Sequence, residues 1–483
     1  MLAVKRNISG IDKTIMNIAN LKLEWKEKNI LIVGCGVSGI SCANFLSRND
    51  IKFSIIDSRT NIKNISNINQ RYTIKFGDFQ ENDFSTADII IVSPGVSIKH
   101  PFIQKAIAEG KEVFGDVDLF CRLVDAPIIA ITGSNGKSTV TTLVGDILNA
   151  SNINAKVGGN IGVPCLDLLS LDLLSLDLLG QDHFDSDHSY EAKVDCYVLE
   201  LSSFQLETTS HLKAYASVIL NLSEDHMDRY DSFLDYCNAK QRILNDSKYT
   251  IINLDDKLAS KLSHAEDSIT FSLSTKADFT LGLKSGKEWI FHNEKPFLDI
   301  SKLRIVGQHN KSNILAAISL CSVFDIALDK TAQAINTFSG LEHRSQLISN
   351  YKNVQWINDS KATNVGATRA ALNGFSNRPL YLILGGQSKG QDFNELLPVL
   401  TNNIKQIFIY GEDSDLIANS IKEKTKISIQ CLPTLKESIN EISKLVIDDD
   451  VVLFSPACAS FDQFDNYMHR GQSFVQYVNE VAK

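Results

Sequence analysis

With 483 residues, the chain exceeds the length at which a single core keeps growing, so two to four domains are expected. Its composition, 43% hydrophobic and 22% charged, is that of a globular protein with ample core, and its net charge of −9 argues against a broad nucleic-acid surface. The nine cysteines include no Cys-x-x-Cys pair, no stretch reaches membrane-span length and Met1–Lys28 has no apolar h-region, so we expect a cytoplasmic protein without a zinc ribbon or a disulfide framework.

Residues 1–28 form a mixed polar and apolar extension that carries no recognisable chemistry. Asn29–Val33 then reads as a short buried strand, followed by Gly34-Cys-Gly-Val-Ser-Gly39, a helix to about Arg48 and a second strand, Phe53–Asp57. This is a complete G-x-G-x-x-G in strand–turn–helix–strand context, with an acid about twenty residues on. Two ligands suit it: a dinucleotide, or another phosphate-bearing molecule held by the same helix start. Arg59, in Asp57-Ser58-Arg59, suits a diphosphate. Ile89–Val92 is a further buried strand, and Ser93-Pro94-Gly95 at its end is either plain turn chemistry or a contact to the same ligand.

From about residue 116 a second unit begins. Ile128–Ile131 is a buried strand and Thr132-Gly-Ser-Asn-Gly-Lys-Ser-Thr139 a phosphate cradle opening a helix. Backbone N–H groups of Gly133, Ser134, Asn135 and Gly136 would face the anion, Lys137 adds a point charge, and Ser138 offers a hydroxyl to Mg²⁺. The general P-loop spacing asks for glycine where Ile131 stands, so the signature is narrower than the generic one. Gly158-Gly-Asn-Ile-Gly162 reads as a loop beside the phosphates. A five-residue repeat starting at Leu166, Leu171 and Leu176, with the acidic tract to Glu191, matches no helical or solenoid period and reads as a peripheral insertion over 166–191.

Asp195–Ser203 reads as a strand with Glu200 inside its apolar run; a carboxylate there needs a cation or a partner, and Mg²⁺ is the natural one. His226, just past the strand Ser217–Leu222, can be a ligand, a base or a loop histidine. Lys240 lies fourteen residues later on a helical stretch and by itself reads as a solvent lysine. Asn310 and Asn313 open a helix, either as caps or as donors to a purine edge.

In the remaining chain, Val354–Asp359, Leu380–Gly386, Ile404–Tyr410 and Val451–Phe454 read as strands alternating with helices, so a mostly parallel sheet is expected. Asp359, Lys361, Lys389 and Ser460 all sit at strand C-terminal ends, where open α/β sheets bind ligands. The fold class is therefore α/β in three domains: a Rossmann-like unit over 1–115, a P-loop-type ATPase unit over 116–340, and a Rossmann-like unit over 341–483.

These motifs, in this order, resemble the Mur ligases, ATP-dependent amide-forming enzymes of peptidoglycan precursor synthesis. The cradle carries the family signature, while Glu200-Leu-Ser-Ser-Phe-Gln-Leu-Glu207, His226-Met-Asp-Arg-Tyr230, Asp359-Ser-Lys-Ala-Thr-Asn364 and Ser455-Pro-Ala-Cys-Ala-Ser460 are similar to its D-glutamate-adding branch. The resemblance runs from about Asn29 to the end, apart from the repeat. It implies that Ser38, Asp57, Ser58, Arg59 and Ser93 bind the UDP end of UDP-N-acetylmuramoyl-L-alanine, with Asn160 on the substrate side of the cradle. It also implies ATP on Gly133–Thr139, with Asn310 and Asn313 at adenine, Asp359 at the ribose, and Lys137 and Arg344 at the γ-phosphate. Two Mg²⁺ sites follow, Ser138 with Glu200, and His226 with Lys240 as a carbamate. Lys361, Thr363, Lys389 and Ser460 would hold D-glutamate beside Tyr467, where the family usually has Phe. The catalytic set is then Lys137, His226, Lys240 and Arg344, in a monomer with no membrane or nucleic-acid partner. The rivals are another amino-acid-adding ligase, an NAD-dependent oxidoreductase built on Gly34–Gly39, and a non-catalytic nucleotide-binding protein.

Overall fold

The computed structural model describes residues 9–60, 73–169, 194–263, 268–300, 308–338, 340–351, 353–375 and 378–481. Their strands form three sheets. The first contains β1 (Ile30–Val33), β2 (Ser54–Asp57), β3 (Thr73–Phe76), β4 (Ile89–Val92) and β5 (Glu112–Phe114) in the order β3-β2-β1-β4-β5, all parallel. The order reverses between β1 and β4, so the Gly34–Gly39 turn and Ser93 meet at the crevice where such sheets take ligands. Strands β1 and β4 are buried along their whole length, which explains why they read as unbroken Ile/Leu/Val runs rather than alternating ones.

The second sheet holds β6 (Ile128–Thr132), β7 (Ala155–Gly159), β8 (Cys196–Glu200), β9 (Ala216–Ile219), β10 (Tyr249–Asn253), β11 (Ser268–Ser272), β12 (Phe279–Lys284), β13 (Lys287–His292) and β14 (Lys295–Asp299). Its order is β14-β13-β12-β11-β10-β9-β6-β8-β7. The β7–β12 part is parallel, and β12, β13 and β14 add an antiparallel meander at one edge. The third sheet holds β15 (Gln346–Tyr351), β16 (Val354–Asn358), β17 (Leu380–Gly385), β18 (Ile404–Tyr410), β19 (Ser428–Leu432) and β20 (Val451–Phe454). Its order is β15-β16-β20-β17-β18-β19, parallel except for the β15–β16 hairpin. Among the described residues no helix is long and apolar enough to cross a membrane.

Two expectations change. The N-terminal extension contributes a helix, Ser9–Glu24, and buries Ile18, Leu21 and Trp25; the Trp25 ring lies 6.0 Å from that of Phe114. The insertion does not begin at Leu166. Leu166, Leu168 and Leu169 are buried in the same apolar cluster as β1 and the helix Asp116–Leu123, and Asp167 accepts a hydrogen bond from Ser41 at 2.9 Å. The first copy of the repeat therefore joins the first and second sheets' core, because its spacing happens to turn those leucines inward. The later copies, with His183 and His188, lie outside the described residues.

Candidate active site

The cradle is built at the end of β6, whose five residues are all buried. The chain turns at Gly133 (φ +151°) and Gly136 (φ +84°) into the helix Lys137–Ala150. A Cβ on Gly136 would lie 2.4 Å from Asn313 Oδ1, so the glycine lets Asn313 approach the loop as well as allowing the left-handed turn. The loop following β9 clamps the cradle: the Asn135 N–H donates to Asn221 Oδ1 (2.8 Å) and Ser134 Oγ donates to the Ser223 carbonyl (2.8 Å). Lys137 Nζ is folded back on the loop, donating to the carbonyls of Gly133 (2.7 Å) and Ser134 (3.0 Å). Burial pushes its pKa down. An ammonium whose hydrogen bonds go to loop carbonyls, at the start of a helix, is placed to pair with an anion.

Glu200, last residue of β8, is 3% exposed. It accepts hydrogen bonds from Ser138 Oγ (2.5 Å) and Asn160 Nδ2 (2.9 Å). Burial pushes its pKa up, but the Lys137 charge, those two hydrogen bonds and Arg344 outweigh it and hold the carboxyl below its usual value. Arg344, from the loop before β15, donates to Ser138 Oγ at 2.5 Å. One hydroxyl thus joins a cation of the third unit to the carboxylate of the second. Thr139, next on the helix, is buried.

Lys240 does not face solvent. It lies on the helix Phe233–Gln241, 2% exposed, and its Nζ donates to the Gly133 carbonyl (2.9 Å) and Thr132 Oγ1 (3.3 Å) above the Tyr236 ring (4.8 Å). Burial, reinforced by the neighbouring Lys137 charge, drives its pKa well below that of a free lysine. His226 has φ +58°, its Nε2 lies 3.7 Å from Asp225, and its ring meets the Phe204 ring edge-on at 4.8 Å. Burial lowers its pKa.

From the third unit, Asp359 follows β16 and is engaged at both oxygens, by the Ser345 N–H (3.0 Å) and Ser455 Oγ (2.7 Å); burial raises its pKa to about 6. Lys361 Nζ sits over the Tyr467 ring at 4.1 Å, and burial, with repulsion from Arg344 and Lys137, lowers its pKa to about 8. Thr363, Lys389 and Ser460 line the same cavity as Lys137, Glu200, His226 and Lys240, whose volume is about 910 Å³. Asn310 and Asn313, in the first turns of the helix Gln308–Cys321, line it as well.

The first unit's candidates lie apart from this cavity. Ser38 is in the first turn of the helix Val37–Arg48, and Ser93 Oγ donates to the Gly34 carbonyl at 2.7 Å. Asp57 accepts from the Cys35 N–H (2.6 Å) and from Arg59 through Nε (2.9 Å) and Nη2 (2.7 Å), so the acid that a dinucleotide reading assigns to a ribose instead anchors a cation at the glycine turn. Ser58 and Arg59 are exposed beside it. Asn160, expected on the substrate side of the cradle, lines the central cavity and donates to Glu200.

Several groups escaped the sequence reading. Asp225 faces the cavity and accepts from Asn364 Nδ2 (3.3 Å); its place next to His226 was the available signal. His309 lines the cavity with its pKa lowered to about 4 by burial. Arg470, fully buried, donates to the carbonyls of Ser360 (2.7 Å) and Cys458 (2.9 Å), tying together the Asp359–Asn364 and Ser455–Ser460 loops; no pattern marked it.

Three family models match the chain: "Mur ligase MurD-like, N-terminal domain" over residues 28–115, "Mur ligase middle domain" over 131–321 and "Mur ligase, glutamate ligase domain" over 343–458. The UDP-N-acetylmuramoylalanine--D-glutamate ligase of Salmonella paratyphi A is 38% identical over 95% of this chain and 100% of its own length. The enzyme of the same name from Coxiella burnetii is 40% identical over 94% of this chain and 99% of its own. Among solved structures, the UDP-N-acetylmuramate-alanine ligase MurC of Thermotoga maritima is similar at TM-score 0.59 and 20% identity, covering 94% of this chain and 100% of that one. The MurF ligase of Thermotoga maritima in complex with ADP is similar at TM-score 0.58 and 16% identity, covering 89% and 95%.

Proposed function

The chain belongs to the Mur ligase family, and on that premise we propose that it is the ATP-dependent ligase joining D-glutamate to UDP-N-acetylmuramoyl-L-alanine in peptidoglycan precursor synthesis. The observation that carries the reading is the Arg344–Ser138–Glu200 contact, which sets third-unit cations over the phosphate cradle of the second. We assign residues 1–115 to the UDP end of the substrate, 116–340 to ATP and 341–483 to the amino acid. We read the enzyme as a monomer working in the cytoplasm, the compartment suited to ATP and a nucleotide-linked substrate.

The cradle N–H groups and Lys137 hold the β- and γ-phosphates, Arg344 pairs with the γ-phosphate, and Asn310 and Asn313 meet adenine. Asp359, although both its oxygens accept protein donors, keeps lone pairs for the ATP ribose. The substrate carboxylate attacks the γ-phosphorus, forming an acyl phosphate and ADP. Lys137 and Arg344 offset the repulsion between the two anions as it approaches. Lys361, Lys389, Thr363 and Ser460 fix D-glutamate through its carboxylates, with Tyr467 under Lys361. The neutral amine then displaces phosphate, leaving the amide.

The donor set fits Mg²⁺. Among the described residues no cluster of three or more His, Cys, Asp or Glu side chains could hold a metal, but Mg²⁺ takes one or two carboxylates and completes its shell with water and phosphates. Ser138 and Glu200 would hold one ion, and His226 with Lys240 a second. When bound, the ions neutralise charge on the phosphates. Lys240 suits that role only as a carbamate; burial lowers its pKa and so favours the neutral amine, the form that adds CO₂ with release of a proton to leave an anionic oxygen ligand.

The test is phosphate release from ATP with Mg²⁺, UDP-N-acetylmuramoyl-L-alanine and a panel of amino acids. D-Glutamate should stimulate it most; no stimulation, or greater stimulation by another amino acid, overturns the reading.

A further inference from the structure

Arg229, within His226-Met-Asp-Arg-Tyr230, has no part in the reaction outlined above, yet its side chain spans the junction between the first and second units. Its Nη2 donates to the Val96 carbonyl (2.8 Å) and its Nη1 reaches the Gly95 carbonyl (3.4 Å). Both belong to the turn after β4 that starts at Ser93. The side chain is 16% exposed, lies 3.7 Å from Glu207, and stacks its guanidinium over the Phe204 ring at 4.5 Å.

Each end of this arrangement leads to a site. At one end, a Cβ on Gly34 would lie 2.9 Å from Val96 Cγ2, so Val96 packs directly on the glycine turn, and Ser93 Oγ donates to the Gly34 carbonyl. At the other end, the Phe204 ring meets the His226 ring at 4.8 Å, and the Arg229 N–H closes a turn on the His226 carbonyl (2.9 Å). His226 occupies the left-handed region, a conformation that persists for a non-glycine residue only where its surroundings impose it. Arg229 supplies two of those constraints. A lysine could not reproduce the fork, which reaches two carbonyls while its flat face covers an aromatic ring.

We infer that Arg229 is a positioning residue that couples the substrate turn of the first unit to His226, so that the UDP-substrate's seat and the His226 side of the cavity are held in one register. The inference rests on the ligase reading above. It implies that loss of Arg229 weakens UDP-substrate binding and slows turnover together, while ATP binding, held by the cradle and the helix Gln308–Cys321, is left alone. The same junction contains its own control: Lys99 pairs with Asp231 at 2.5 Å, but both side chains are exposed and neither residue lines the central cavity. Such a rim pair contributes little.

Dissociation constants for UDP-N-acetylmuramoyl-L-alanine and for ATP, measured by calorimetry, and kcat at saturating substrates would be compared in wild type, Arg229→Ala, Arg229→Lys and Asp231→Asn, with melting temperatures alongside. Arg229→Ala should raise the Kd for the UDP-substrate about tenfold and lower kcat about tenfold, the order expected when charge-assisted hydrogen bonds to carbonyls are lost, with the Kd for ATP within about twofold. Arg229→Lys, which keeps the charge, should fall between, and Asp231→Asn should match wild type. Arg229→Ala indistinguishable from Asp231→Asn would overturn the inference, as would an ATP Kd raised as much as that of the UDP-substrate. Failure of the ligase reading shows separately, as wild-type protein without D-glutamate-dependent turnover.

Discussion

Gly136→Ala places a single methyl group where the account says none fits. The residue caps the helix Lys137–Ala150 at φ +84°, ψ −14°, where an L side chain costs roughly 1–2 kcal/mol. The new Cβ would also lie 2.4 Å from Asn313 Oδ1, about 1 Å inside ordinary van der Waals contact. Asn313 cannot withdraw with its helix, because Ala316 and Ala317 just beyond it are fully buried, so its side chain must rotate away from the loop. Combined strain of roughly 2–4 kcal/mol follows, shared between a distorted loop and a lost adenine contact. With about 1.4–2.8 kcal/mol of that strain falling on ATP binding, and each 1.4 kcal/mol a factor of ten, the KM for ATP should rise about ten- to a hundredfold. The KM for D-glutamate should stay near wild type. Initial rates of phosphate release over ATP concentration, with a thermal melt in parallel, read both quantities. An ATP KM within about twofold of wild type together with an unchanged melting temperature would refute the reasoning, whose magnitude rests on the strain of about 2–4 kcal/mol.

On the role proposed for Lys361, D-glutamate binding should depend on pH. Its pKa of about 8 means that its cationic form fades as pH rises through that value, so KM for D-glutamate should climb between pH 7 and 9 and climb less in Lys361→Arg; equal slopes would contradict the role. The same shift bears on stability with a definite sign: the charged form is disfavoured in the fold, so this penalty shrinks as pH rises from about 8 towards the free-lysine value. Lys240→Ala should abolish turnover, and added short-chain carboxylates should restore part of it by replacing the carbamate's oxygens; no rescue would count against the carbamate. Leu168, 2% exposed against Gly158, should cost about 2–5 kcal/mol on Leu168→Ala, and an unchanged melting temperature would mean that the first repeat copy is not core.

Much of this was legible before the structure, and for a physical reason. Strands buried on both faces, such as Ile30–Val33 and Ile128–Thr132, must be apolar throughout, and the ligand loops must follow them directly. Thr132–Thr139 and Asp359–Asn364 could therefore be placed at strand ends from the sequence alone. What escaped depends on contacts between distant segments. Lys240 looks like any helical lysine until the fold carries it beneath Gly133. Asp57 has the spacing of a ribose acceptor until Arg59 folds back onto it. Leu166–Leu169 belongs to a repeat by sequence and to the core by burial. Arg470 and Arg229 are single cations whose hydrogen bonds go mostly to carbonyls, and carbonyls leave no trace in a sequence pattern. The meander β12–β14 passed unread, although Ser285-Gly286 and Asn293-Glu294, all at positive φ, stand as two-residue turns between its strands.

The central claim is that the substrate carboxylate is activated as an acyl phosphate between Lys137 and Arg344. UDP-N-acetylmuramoyl-L-alanine labelled with ¹⁸O in its terminal carboxylate, turned over with unlabelled ATP and D-glutamate, tests it directly. Attack on the γ-phosphorus carries one carboxylate oxygen into the acyl phosphate, and displacement by the amine releases that oxygen with phosphate. Mass spectrometry of the released phosphate should therefore find one ¹⁸O per molecule, with the other retained in the amide. Unlabelled phosphate accompanying amide formation would contradict the account.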